Sequence, residues 1–139
     1  MTLDELDRTL PNGFHDAEVT SVRIDYVRRE VEMVLDLWVG DLSSGEEDVR
    51  EAYRSATLTL SGLQYCCIEP PDSQYPYRES RPITVDAVTV ESLRTPPETR
   101  LPAATPDVGF THCFFVYQWN SYIYVSAQAA SLAWHPEPR

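Results

Sequence analysis

No lysine occurs in this 139-residue chain, and all eleven basic residues are arginine. That excludes a Schiff-base lysine, a lysine nucleophile and the phosphate-binding lysine of a P-loop, because each needs an ammonium on a flexible stem. Glycine is scarce, at five residues, and no glycine-rich phosphate cradle, nucleophile elbow or cysteine redox pair is present. No apolar run approaches the roughly 20 residues that span a bilayer, and the acidic opening "MTLDELDRTL" lacks the apolar centre of a signal peptide. A cytoplasmic protein without membrane association is expected. There are three cysteines; Cys66 and Cys67 are neighbours and poorly placed to pair with each other, so free thiols are expected.

Positive charge is short as well. With 22 acidic residues against 11 basic, the formal charge is -11. Phosphate backbones and anionic membrane surfaces are repelled, which argues against nucleic-acid and membrane partners, whereas a basic protein is attracted. At this length one domain over 1–139 is expected, and Val, Ile, Tyr, Phe, Trp and Thr in short runs favour strands.

The opening reads as a short helix over 1–10. Leu3, Leu6 and Leu10 make one stripe, Thr2 suits the N-cap, and Asp4 and Glu5 sit in the first turn. Pro11, Asn12 and Gly13 end it. From 18 to 26, Thr20, Val22, Ile24 and Tyr26 share one predicted strand face and Ser21, Arg23 and Asp25 the other. Val31, Met33, Leu35, Leu37 and Val39 share a face of the next strand, opposite Glu32 and Asp36, so a hairpin with Arg28 and Arg29 at its tip follows. "GDLSSGEEDVRE" carries five acids against one arginine and reads as an exposed loop. "YRSATLTLSGLQYCCIE" is one long strand, or two joined by a bend at Gly62. Polar, proline-rich connections at 69–82 and 95–109 flank a strand in "ITVDAVTVESL". "FTHCFFVYQW" and "YIYVSAQAASL" form a hairpin around Asn120 and Ser121, and residues 134–139 form a frayed tail. The expected architecture is mainly β: six to seven antiparallel strands, as a two-sheet sandwich or a strongly curled sheet, with one N-terminal helix.

His15-Asp16 is the first candidate for chemistry, since an imidazole oriented by a carboxylate makes a general base. On an extended chain, however, adjacent side chains diverge, so Asp16 is not expected to orient His15. A metal-dependent phosphohydrolase of the HD type needs further histidines and aspartates on helices, and only His112 and His135 remain. The expectation is structural: Asp16 bonds loop N–H groups at the strand start and His15 packs locally, with no catalytic residue. Cys66, Cys67, His112 and Cys113 are zinc-ligand types without the spacing that wraps an ion, and are expected as buried structural residues. Glu46, Glu47 and Asp48 lack EF-hand spacing. Neither a metal nor a cofactor is expected.

The aromatic set Trp38, Phe114, Phe115, Tyr117, Trp119, Tyr122 and Tyr124 loads both faces of the last hairpin. Phe115, Tyr117 and Trp119 are expected on one face, Phe114 and Val116 on the other. Something then covers the second face: another sheet, the proline-rich loops, a partner chain or a ligand.

The segment "FHDAEVTSVRIDYVRREVEMVLDL", with the middle run "ATLTLSG" and the final hairpin, resembles a group of small bacterial proteins that open on a Leu/Phe-His-Asp-Ala phrase followed by a β-hairpin. Some of these look like immunity proteins of bacterial toxin systems. The resemblance implies a cytoplasmic bacterial protein that binds and neutralises a toxin, and it fixes no catalytic residue. The leading expectation is therefore a non-catalytic binding module presenting Asp41, Glu46, Glu47, Asp48 and Glu51 to a basic protein such as a toxin nuclease. Two alternatives stand beside it: a sheet enclosing a small ligand between its aromatic face and the proline-rich loops, and a hydrolase using His15, Asp16 and loop acids. A homodimer is compatible with each.

Overall fold

Strands form here because apolar and polar side chains alternate, which lets each strand turn one face to a core. The computed structural model describes residues 1–74, 83–89 and 109–137. Among these are two helices, α1 (Leu3–Thr9) and α2 (Glu47–Arg50). The strands are β1 (Ala17–Asp25), β2 (Glu30–Trp38), β3 (Tyr53–Ser61), β4 (Tyr65–Ile68), β5 (Ile83–Thr89), β6 (Phe110–Val116), β7 (Ser121–Ala127) and β8 (Ala129–Trp134). They form one antiparallel sheet in the order β4-β7-β6-β5-β1-β2-β3-β8.

This corrects the two-sheet sandwich and the count of six to seven strands: among the described residues the sheet is single and has eight. Gly62 divides β3 from β4, which settles for two strands the alternative that the sequence left open, and Gln128 divides β7 from β8 in a run read as continuous. Those breaks shape the molecule. Between β3 and β4 lie β7, β6, β5, β1 and β2, a gap of about 29 Å in a flat sheet. Residues 62–64 reach at most about 14 Å. The sheet must therefore curl until its two ends approach. Gln64 N donates to Ser126 O (2.7 Å) and Gln128 N to Ser61 O (2.9 Å), so the two crossing segments run side by side, while β4 and β8 stay unpaired with each other. Gly62 makes the crossing with φ +63°; a Cβ there would lie 2.6 Å from the Gln128 side chain.

Inside the curl lie Val31, Met33, Leu35 and Leu37 of β2, Ala56, Leu58 and Leu60 of β3, and Phe114, Val116, Ile123 and Val125 of β6 and β7. Helix α1 adds Leu3 and Leu6, and Phe14 packs edge-on against Phe114 at 6.2 Å. Thr2 caps α1, as the sequence predicts, and does so in a reciprocal capping box with Glu5.

In β1 the register slips between Val19 and Ser21. Thr20, expected inward, is the bulged residue; it is exposed and its hydroxyl donates to Val34 O. Ala17 and Val19 before the bulge, and Val22 and Ile24 after it, face the core, while Tyr26 lies exposed in the hairpin turn. At the last hairpin the turn is residues 117–120, so Tyr117 leaves the strand and Trp119 packs against the core rather than beside Phe115. On the opposite face Cys113, Tyr124 and Ser126 are buried too, so both faces of this hairpin are covered there. Residues 134–135, expected in the tail, are tied down: Trp134 ends β8, and His135 donates its N–H to Ser55 O. Of the expected connections at 69–82 and 95–109, residues 75–82 and 95–108 lie outside the described residues. No helix is long and apolar enough to cross a membrane among the described residues.

Candidate functional site

The site begins where α1 ends. Asn12 ties the chain to the end of β2 by donating to Trp38 O (3.1 Å) and Gly40 O (2.9 Å). Gly13 then takes φ +57°, with Asp7 so close that a Cβ would lie 2.5 Å from its carboxylate. The loop N–H of Phe14 goes to that carboxylate at 2.8 Å. The role expected of Asp16, holding loop N–H groups, thus belongs to Asp7.

Asp16 has φ +53° and is not extended. This overturns the expectation that the His15 and Asp16 side chains diverge: His15 Nε2 lies 3.3 Å from Asp16 Oδ2. The other ring nitrogen, Nδ1, bonds Asp86 Oδ1 of β5 at 2.8 Å. Tyr117, in the β6–β7 turn, donates its hydroxyl to the second oxygen of Asp86. Asp86 and Tyr117 are therefore members of the cluster that local sequence reading missed. The alternation in "ITVDAVT" puts Asp86 on the outer face, and nothing local pairs it with a histidine 71 positions away.

Electrostatics follow this geometry. The Asp86 hydrogen bond, reinforced by the charges of Asp86 and Asp16, raises the His15 pKa against a smaller effect of partial burial. Donation to Asp86 is the main reason that the Tyr117 phenol is pushed up to about 12. His15, Asp16 and Asp86 bring ligand atoms within 4.8 Å of one another, a donor set of zinc-compatible type with no fourth protein ligand among the described residues. Both ring nitrogens already face carboxylates. In chemical terms the arrangement is a solvent-open imidazole set between two carboxylates, which it bridges when protonated.

Next to this cluster stands the acidic loop. The Trp38 ring is 6.1 Å from His15, and its indole N–H donates to Arg50 O at 2.7 Å. Backbone bonds from Val39 to Ala52 (2.8 Å) and from Asp41 to Val49 (3.1 Å) close the loop at its base. Asp41, Glu46, Glu47, Asp48 and Glu51 are all exposed. The Ser43 hydroxyl, then its N–H, lowers the Asp41 pKa. In register, Glu18 of β1 pairs with Asp36 of β2, on the same outer face as Asp86. Tyr53 reaches the Asp16 carbonyl; burial first, then the charges of Glu18, Asp16 and Glu51, raises its pKa.

Cys66, Cys67, His112 and Cys113 are not among the ligand-type groups of three that converge in the described residues. None of the three cysteines is in a disulfide; Cys113 is buried and Cys66 half-buried, but Cys67 is exposed on the edge strand β4, contrary to expectation. Burial pushes the Cys66 thiol up to about 11, which makes it a poor nucleophile. A cavity at the loop base is lined by Val39, Tyr53, Arg54, Ser55, His135 and Glu137, away from the aromatic face of Phe115, Tyr122 and Tyr124. Comparison with protein-family models, with curated proteins and with solved structures finds no match in any of the three.

Proposed function

We propose that the protein is a non-catalytic binding module that docks a basic protein on one acidic surface, in the manner of the immunity-type neutralisers its opening segment resembles. The observation that supports this reading is continuity. Trp38 joins the loop bearing Asp41, Glu46, Glu47, Asp48 and Glu51 to the outer-face acids Asp16, Glu18, Asp36 and Asp86. Carboxylates from several elements then act together on an approaching cation and raise its association rate. A nuclease, whose cleft is basic because its substrate is anionic, has the matching chemistry.

The test is the rate of association with a purified basic nuclease of a toxin system as ionic strength rises, together with inhibition of its cleavage. Docking of this kind slows steeply with salt and falls about tenfold or more in the triple variant Glu46→Lys, Glu47→Lys, Asp48→Lys. Inhibition that persists unchanged in that variant and in high salt would overturn the reading.

A second reading, hydrolysis through His15, draws support from the Asp86 bond, which fixes the tautomer and ring orientation a general base needs. Its test is the loss of a detected hydrolytic activity in His15→Ala and Asp86→Asn; activity retained in both excludes it.

A further inference from the structure

The junction between β1 and β5 is the narrowest in the sheet among the described residues. It holds three residue pairs, Ala17–Val85, Glu18–Thr84 and Val19–Ile83, whereas β2 and β3 pair continuously from Glu30–Ser61 to Trp38–Tyr53. On one side the last described pair is Val19–Ile83, beside the register slip of β1 at Thr20. On the other, the left-handed backbone of Asp16 turns the chain off the ladder. The next rung is made by side chains: His15 Nδ1 to Asp86 Oδ1 at 2.8 Å, with Nε2 3.3 Å from Asp16 Oδ2.

We propose that His15 is a pH-sensitive clasp on this junction: its imidazolium bridges Asp86 and Asp16 and holds β5 against β1, and loss of the proton loosens the junction without unfolding the sheet. The reason lies in the donor count. An imidazolium donates from both nitrogens, whereas a neutral ring that keeps its Nδ1–H for Asp86 turns a lone pair toward the Asp16 carboxylate. The attraction on that side becomes repulsion. The groups that face the ring are Asp86 from β5, with Tyr117 from the β6–β7 turn behind it, and Asp16 from the turn before β1. Tyr53 of β3 contributes through the Asp16 carbonyl, and Trp38 of β2 is uncharged.

The direction of titration agrees. Hydrogen bonding to Asp86 first, then the two carboxylate charges, raises the His15 pKa. A raised histidine pKa adds stability that is complete below the unfolded value and disappears as pH rises through the folded one. The clasp stands on the junction's own geometry and does not depend on the docking reading.

The test is amide hydrogen exchange on the full chain, corrected for the intrinsic pH dependence of exchange, comparing residues 17–19 and 83–85 with the long β2–β3 ladder. Protection at the junction is expected to fall as pH passes the His15 titration while the β2–β3 amides hold, and His15→Gln is expected to remove that pH step. Junction protection that does not change across the titration, or a step that survives in His15→Gln, would overturn the proposal. Should His15→Gln fail to fold, NMR titration of His15 in the wild type and in Asp86→Asn decides: the clasp requires a lower pKa in the variant, and an unchanged one refutes it.

Discussion

Asp16 adopts a left-handed backbone that costs an L-residue about 1 kcal/mol. That one conformation swings its carboxylate beside His15, so the arrangement of the cluster is set by backbone rather than by residue type. Gly13 makes a related turn under tighter constraint, with no room for a Cβ beside Asp7. Gly13→Ala is therefore expected to destabilise the protein by about 1–3 kcal/mol, read as a lower urea midpoint with an unchanged slope. Tyr117 and His15 compete for the charge of Asp86. Tyr117→Phe leaves that carboxylate to the imidazole alone, and the His15 pKa measured by NMR rises further; a fall would show that the phenol supports the pair instead. The Tyr117 phenol carries its own pH signature. Its folded pKa lies above the unfolded value, so its contribution holds below the ordinary tyrosine range and is lost as pH climbs through about 12.

At the scale of elements, α1 is readable because its information is local. The leucine spacing supplies the buried stripe, and Thr2 with Glu5 satisfies two otherwise unpaired N–H groups. Thr2→Ala is expected to cost about 1 kcal/mol in thermal unfolding; the exposed Asp4–Arg8 pair contributes little by comparison. Strand β2 is equally plain, since Val31, Met33, Leu35 and Leu37 alternate without interruption and all are buried. In β3, Leu58→Ala removes a fully buried side chain and is expected to cost about 2–5 kcal/mol by denaturant unfolding. β1 is harder to read, because a bulge inverts the facing of every residue on one side of it and Thr20 carries no mark of being the extra one. The division of β7 from β8 at Gln128 escapes local reading for a similar reason: a glutamine is compatible with continuing the strand.

Across the whole molecule, charge and curl dominate. A net charge of -11, with many acids on one face and in one loop, makes self-repulsion a standing cost. Added monovalent salt is expected to raise the melting temperature over the first few hundred millimolar, where screening lengths shorten to about 10 Å and below; a fall would mean that ion pairs outweigh the repulsion. By itself the sequence determined the class of element at most of the described positions, the capped helix, the inward face of β2, the exposure of the acidic loop and the exclusion of lysine chemistry. These follow from spacing over a few residues, where side-chain direction is tied to backbone period. Tertiary structure alone decided that one sheet curls to bring distant strands together, that His15 meets Asp86, and that Tyr117 completes the cluster. Those contacts join residues far apart in the chain, and their geometry depends on a strand order and a left-handed turn that no local pattern encodes.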